Sequence, residues 1–351
     1  MKRNYVRPLD LKNGRVDMTH GAGGRASAQL IAELFAPAFD NPALRQGDDG
    51  AVLCELAGLP LGARLVMATD AHVVSPLFFP GGDIGALAVH GTVNDVAVMG
   101  AEPRWLSASF ILEEGFPFAE LKRIVDSMAA AARGAGVHIV TGDTKVVEQG
   151  KGDGVFISTT GVGVRRPGVE LSGANARVGD SVFVSGPVGD HGVAILSCRE
   201  ELAFDSPIVS DSAALHGLIA DLLAAVPQVR VLRDPTRGGL ATTLNEIAAQ
   251  SGVGVSLDEA AIPVRPAVAA ACEFLGLDPL YAACEGRVIV IAPAEVDALV
   301  LAALRAHPQG REAARIGTVT EDPHHFVQMT TAFGGKRIVD WLTGEQLPRI
   351  C

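Results

Sequence analysis

The chain ends Pro348-Arg349-Ile350-Cys351, which places a thiol on its last residue. Chain ends are mobile unless something docks them, and an exposed thiol is a liability unless it is used. The polar stretch Gly344-Glu345-Gln346-Leu347 leads into Pro348, and Thr343 to Cys351 spans about 25–30 Å when fully extended. An arm of that length can enter a pocket on its own or a neighbouring subunit. The competing reading is a disulfide or an accidental terminal cysteine.

The second set of chemistry-bearing residues is acidic. Gly47-Asp48-Asp49-Gly50-Ala51 sets two carboxylates in a glycine-flanked turn, and Asp70 follows an apolar run. Asn94-Asp95 interrupts an apolar helix, and Gly142-Asp143-Thr144-Lys145 follows a short strand. Loops at strand ends are where α/β proteins place function. Several carboxylates with little basic compensation suit Mg2+ bridged to phosphates, because hard cations prefer oxygen ligands. Taken singly, an aspartate is a turn former or helix cap. Asp95 resists that reading: Val93, Val96, Val98 and Met99 predict burial, and a buried carboxylate needs a cation or several donors.

Two glycine turns add anion-binding character. His20-Gly21-Ala22-Gly23-Gly24-Arg25 precedes a predicted helix over 26–35, where backbone N–H groups can point at an anion. Arg233-Asp234-Pro235-Thr236-Arg237-Gly238-Gly239 combines two arginines, a carboxylate and a glycine turn. It suits a metal–phosphate centre or a structural salt-bridged turn equally. Lys145 offers an ammonium for phosphate or, if desolvated, a base. Glu285, in Ala283-Cys284-Glu285-Gly286, is predicted partly buried, with its pKa raised toward general-base duty. His191, in Gly189-Asp190-His191-Gly192, opens a helix and reads as a cap-region residue or a functional one.

The elements that must position these groups alternate. Strands are predicted at 64–68, 106–112, 138–141 and 156–164, with helices at 83–98 and 118–133. The boundary falls between Arg165 and Asp180, and the same grammar then repeats. Strands follow at 181–185, 288–292, 314–319 and 324–329, with helices at 190–198, 211–226, 239–251 and 295–307. This gives an N-terminal segment with a glycine-rich loop (1–40), a first α/β domain (41–165), a second domain (176–330) and a C-terminal strand with a mobile tail (331–351). Neither a P-loop nor a strand-linked GxGxxG is present.

Composition narrows the class. The 351 residues suit one large or two ordinary domains, and 48% hydrophobic residues with 40 glycines suit a packed α/β protein. A net charge of -11 argues against a nucleic-acid surface. No apolar run approaches membrane-spanning length, and MKRNYVRPLDLKNG has no hydrophobic signal core. Five cysteines, at 54, 198, 272, 284 and 351, lack metal-finger spacing. A cytoplasmic protein with free thiols is expected.

HGAGG at 20–24, GDDGA at 47–51 and ATDAHVVSPLFFPGGDIGALAVHGTVNDVAVMGA at 68–101 open a series of recognisable stretches. GDTKVV at 142–147, TTGVG at 159–163, VSGPVGDHGVAI at 184–195, RDPTRGGLATTLNEIA at 233–248, CEFLGLDP at 272–279 and the terminal PRIC complete it. Together they resemble the HypE family of hydrogenase maturation factors, in the aminoimidazole-ribonucleotide-synthetase-like (PurM-like) superfamily. The long block points to the superfamily, and PRIC separates this branch from its relatives. One departure is Cys284, where the family usually has Asn in ANEG.

The resemblance implies a two-domain PurM-like α/β fold of the α+β type. It implies a homodimer whose first-domain strands join across the interface into a barrel, a C-terminal α/β domain and a flexible tail. ATP and Mg2+ would bind in the cleft, with Asp49, Asp70, Asp95 and Asp234 organising metal and phosphate. The loop Gly21, Gly23 and Gly24 would close over the phosphates, and Asp48, Asn94, Asp143, Thr144 and Arg233 would complete the nucleotide site. A carbamoyltransferase, HypF, would load Cys351, and the S-carboxamide would be dehydrated to a thiocyanate. A HypC–HypD scaffold would receive it as the cyanide ligand of a nickel–iron hydrogenase. Glu285 and Lys145 would share removal of the amide protons. The alternatives are a superfamily relative that phosphorylates a free small molecule, and a non-catalytic carrier of a one-carbon ligand.

Overall fold

The stretch Ile84–Val98 is apolar nearly all the way round, and such a helix has to be buried on every side. The computed structural model describes residues 8, 24–30, 32–33, 51–52, 61–200, 208–344 and 349–351. In it, only Ala86, His90 and Asp95 of this helix keep partial exposure. Asp83 caps the helix: its carboxylate accepts the N–H groups of Gly85 at 2.8 Å and Ala86 at 3.1 Å. A Cβ on Gly85 would stand 2.2 Å from the Ile124 carbonyl oxygen, so glycine is what permits the crossing with the next helix.

In chain order the first half runs α1 (Arg25–Leu30), β1 (Ala51–Val52), β2 (Arg64–His72), β3 (Phe78–Phe79), β4 (Gly82–Asp83), α2 (Ile84–Val98), β5 (Ala101–Glu113), α3 (Phe118–Gly134), β6 (His138–Val147) and β7 (Val155–Arg165). The main sheet has the order β1-β2-β7-β5-β6, with β5 and β6 parallel and the other neighbours antiparallel. Alternation sorts its faces. Val66, Ala68 and His72 of β2, with Val155, Ile157 and Thr159 of β7, are buried. The opposite face leaves Met67, Trp105 and Ile111 exposed.

The second half runs β8 (Ser181–Val184), α4 (Asp190–Arg199), α5 (His216–Ala225), β9 (Val231–Arg233), α6 (Gly239–Ser251), β10 (Gly254–Asp258), α7 (Pro266–Leu275), β11 (Ile289–Ala292), α8 (Asp297–Ala306), β12 (Ala314–Thr320), β13 (Val327–Thr330) and β14 (Lys336–Ile338). They form a mixed sheet ordered β14-β13-β10-β12-β8-β11-β9, in which β10 and β13 are parallel. One face packs Val184, Leu240, Leu244 and Ile289 together. The other packs Phe183, Leu218, Leu222 and Leu304, and takes in Ala97 and Val98 from the end of α2.

Asn94 joins the halves from the middle of α2. Its buried amide donates to the carbonyls of Ala213 at 3.0 Å and Glu285 at 3.4 Å, and its oxygen accepts the Leu215 N–H at 2.7 Å. The helix expected over 211–226 begins only at His216 for a related reason. Residues 211–215 satisfy their backbone elsewhere: Ser212 N–H bonds the Ser210 hydroxyl, and Leu215 N–H bonds Asn94. Strands β9 and β10 and helix α7 were not anticipated, whereas α6 has the predicted bounds and β14 lies in the segment 331–351 where a C-terminal strand was expected.

Replacing Asn94 by Leu strands the buried Leu215 N–H and the part-buried Ala213 carbonyl, while the Glu285 carbonyl keeps the Ala213 N–H. The expected loss is about 2–4 kcal/mol of unfolding free energy. Urea denaturation reads this as a lower midpoint with an unchanged m-value.

Candidate active site

Two turns meet between the halves. Asp234 follows β9, and the Cys284 N–H donates to the Pro235 carbonyl at 3.0 Å, tying the Arg-Asp-Pro turn to the Cys-Glu-Gly turn. Gly239 has φ +60°, and a Cβ there would lie 2.6 Å from the carbonyl oxygens of Leu280 and Ala282. Asp211 holds the second turn by accepting the Glu285 N–H at 3.0 Å. Arg287 fixes it from behind, donating to Pro187 O at 2.8 Å and Gly286 O at 2.9 Å. It also pairs with Asp190 and Asp211, each at 3.5 Å.

The result is an acidic cleft short of cations. Glu285 is 3% exposed, and among the described residues its Oε1 has no hydrogen-bond partner. Burial pushes its pKa well above the ordinary value, and Asp70, Asp234 and Asp211 push the same way against Arg237. Burial also raises Asp234, to about 6, with Arg233 opposing and Asp70 adding. Arg237 is held more firmly protonated by Cys351 first, then by Asp70, Glu285 and Asp95. His72 is buried 3.4 Å from the Asp70 carboxylate, and desolvation lowers its pKa.

The tail tip lies in this cleft. The Val73 N–H donates to the Cys351 carbonyl at 2.9 Å and the Ser75 N–H to the Arg349 carbonyl at 3.1 Å. His191 Nε2 meets the Ile350 carbonyl at 2.5 Å, Arg199 donates to the Arg349 carbonyl at 2.8 Å, and Arg349 pairs with Asp153. Ile350 is buried in the first-half core beside Ala283 and Ile195. The Cys351 thiol is half-buried, and its pKa is raised by burial, with Arg237 opposing and Glu285 and Asp70 adding. The sequence leads one to expect a tip that is weakly docked or disordered without nucleotide. In the structure residues 349–351 are docked through their backbone oxygens, each of which finds a donor.

Asp70, Asp234, Glu285 and Cys351 therefore come together as expected, and Asp95 acts on Arg237 from α2. Asn94 is a structural amide spent on the backbone of the second half. Arg233 bonds Glu246 at 2.6 Å. Gly24 packs against the C-terminal arm, where a Cβ would stand 2.1 Å from Leu342 O. Lys145 does not join Glu285 within one chain. It pairs in register with Ile111 on β5, on the open face of the sheet, whereas Asp70 pairs with Thr159 on the buried face. Gly21, Gly23, Asp48 and Asp49 lie outside the described residues, as do the side chains of Asp143 and Thr144.

Arg237 is the buried cation among these acidic groups that the sequence reading left out of its site. The second arginine of Arg233-Asp234-Pro235-Thr236-Arg237 was the available signal. Nothing in the local sequence marks Asp211. Cys284 points into the second-half core and accepts the Gly189 N–H at 3.2 Å, so its buried thiol stays protonated.

Among the described residues no three His, Cys, Asp or Glu side chains form a ready metal cage, so Asp70, Asp95 and Asp234 do not close one. The donor set nevertheless fits Mg2+. That ion takes one or two carboxylates and completes its shell with phosphate and water, and Asp234 Oδ2 and Glu285 Oε1 are buried oxygens without a partner among the described residues.

Two α/β halves sharing a carboxylate-lined cleft are the architecture of AIR synthase related proteins. The models of that family match here: its N-terminal domain over residues 47–165 and its C-terminal domain over 177–330. Carbamoyl dehydratase HypE of Cupriavidus necator is 71% identical over 100% of this chain and 99% of its own length. A HypE structure in complex with ATP superposes with a TM-score of 0.80 at 52% identity, over 95% of this chain and 99% of that one. A HypE–HypF complex gives 0.83 at 49% identity, over 89% and 99%. The chain belongs to the carbamoyl dehydratase HypE family.

A carboxyl group whose folded pKa is raised stabilises the fold fully below its unfolded value, here 4.5, and that contribution is lost as pH rises through the folded value. Glu285→Gln is therefore expected to raise the Tm at about pH 8 and leave it unchanged at about pH 4. Thermal unfolding of both proteins at the two pH values checks the sign.

Proposed function

We propose that this chain is an ATP-dependent carbamoyl dehydratase that converts an S-carbamoyl group on Cys351 to S-cyanate, the source of the cyanide ligand of a nickel–iron hydrogenase. The observation that carries this reading is the docking of Cys351 on the Val73 N–H, which brings its thiol within electrostatic reach of Arg237, Glu285 and Asp70. The substrate is thus part of the enzyme, at a high effective concentration in the cleft.

The chemistry removes one oxygen and two protons from S–C(=O)–NH2. Oxide and hydroxide leave badly, so the carbamoyl oxygen takes the γ-phosphoryl group of ATP and departs as phosphate. The sulfur remains on Cys351, and the products are the thiocyanate, ADP and phosphate. Arg237 faces the charge that develops on the oxygen, where fixed electrostatics dominates such transfers. Glu285 accepts the first nitrogen proton and the departing phosphate carries off the second: the burial that raises the Glu285 pKa makes it a strong base once ionised, and Arg237 favours the ionised form. Mg2+, held by Asp70 and Asp234 with Asp95 nearby, and by Asp49 as the family resemblance implies, would supply further positive charge at the phosphates. Lys145, on the open face of the sheet, is retained as a second cation, which a homodimer would have to bring to the cleft from the other protomer.

HypF is the proposed loading partner, since a relative at 49% identity is known in complex with it. A HypC–HypD scaffold is the proposed acceptor. A homodimer would cover Met67, Trp105 and Ile111. A cytoplasmic setting fits the free Cys198, Cys272 and Cys284. No helix among the described residues is long and apolar enough to cross a membrane.

Carbamoylated chain incubated with Mg-ATP is expected to lose one water from the Cys351 peptide, read by mass spectrometry. Cys351→Ala should keep the fold and show no such product, and Glu285→Gln should bind ATP yet retain the carbamoyl adduct. A normal yield of thiocyanate from Glu285→Gln would remove the base assignment. ATP binding with an unchanged adduct in the parent would leave a carrier. Lys145→Ala is expected to slow the reaction at least about tenfold.

A further inference from the structure

We propose that Val73, Ser75, Asp153, His191 and Arg199 form a peptide-recognition site for an extended strand ending Arg-Ile-Cys, in which His191 is the positioning residue that sets the register. The ligand is main chain. Val73 and Ser75 N–H groups take the carbonyls of residues 351 and 349, the alternate pairing by which a strand adds to a sheet edge. The intervening Ile350 carbonyl points the other way and is met by His191 at 2.5 Å. Arg199 adds a donor to the Arg349 carbonyl and bonds the Ser75 carbonyl at 2.6 Å, bracing the edge on which the tail lies.

His191 is built for this contact. A carbonyl only accepts, so Nε2 must carry the hydrogen and Nδ1 must accept. Ser210 Oγ, 2.7 Å from Nδ1, supplies that hydrogen while itself accepting the Ser212 N–H at 3.1 Å. The Phe79 ring stands edge-on at 5.5 Å and confines the imidazole. Desolvation lowers the His191 pKa to about 4, so the ring is neutral. The neighbouring Gly192 N–H donates to the Ala283 carbonyl at 3.0 Å, which fixes His191 relative to the turn bearing Glu285.

Register decides the chemistry. A slip of one residue turns every side chain to the opposite face, and would take the thiol away from Glu285 and Arg237. Three contacts oppose it: His191 on the Ile350 carbonyl, the pocket that buries Ile350, and Asp153 on Arg349. This assignment deepens the dehydratase reading and rests on it for its purpose, although the site itself can be tested without ATP.

The test uses the full chain and two readouts. The first is the rate at which iodoacetamide alkylates Cys351, followed by peptide mass without nucleotide. The second is single-turnover dehydration of the carbamoylated chain. His191→Leu is expected to speed alkylation and slow dehydration, each about tenfold, with an unchanged KM for ATP. His191→Gln keeps an N–H donor and should recover part of both. Asp153→Arg should act in the same direction, and Asp153→Arg combined with Arg349→Asp should restore parental rates. Parental alkylation in both His191→Leu and Asp153→Arg, or no recovery in the charge swap, overturns the proposal. Should His191→Leu fail to fold, the exposed Asp153–Arg349 pair decides it alone. Should the parent fail to dehydrate while the alkylation pattern holds, the dehydratase reading falls and the peptide site stands.

Discussion

A carboxylate kept out of water with no cation fully against it is among the most expensive groups a protein can hold, and Glu285 is such a group. Much of the second half is arranged to keep it there. Asp211 takes its N–H, Asn94 reaches its carbonyl from the other half, and Arg287 pins the following residues to Pro187 and Asp190. These supports bond the backbone and leave Glu285 Oε1 without a hydrogen-bond partner among the described residues. The backbone is held firmly where the side chain carries a proton affinity set by its surroundings.

The same unbalanced charge explains the place of Arg237. Cys351, Asp70, Glu285 and Asp95 all act on it, so one buried cation answers several acidic groups at once.

The architecture was legible where periodicity and composition are strong. The apolar run 84–98 announced a buried helix, and Gly239–Ser251 was bounded by its glycine turn and Gly252. The segment 211–215 misled, because its donors are satisfied by Asn94 and Ser210, which are remote or irregular in sequence. Asp70, Asp234, Glu285 and Cys351 were legible as types in telling places. Which cation served them was not. Lys145 and Arg237 are equally plausible on paper, and only strand register puts Lys145 on the open face. Asn94 looked like a ligand because a polar residue in an apolar helix invites that reading, yet partner backbone can use it as well as a nucleotide can.

The seated tip has a thermodynamic consequence for the timing of supply. Four hydrogen bonds to its carbonyls contribute about 1 kcal/mol each, and burying Ile350 adds about 2 kcal/mol. Ordering three residues costs about 3–6 kcal/mol, so the seated and free forms differ by only about 0–3 kcal/mol. A difference that small leaves the free form populated at thermal equilibrium. The cargo can then commute between loading enzyme, cleft and acceptor by ordinary fluctuation, and ATP is left to drive the chemistry alone.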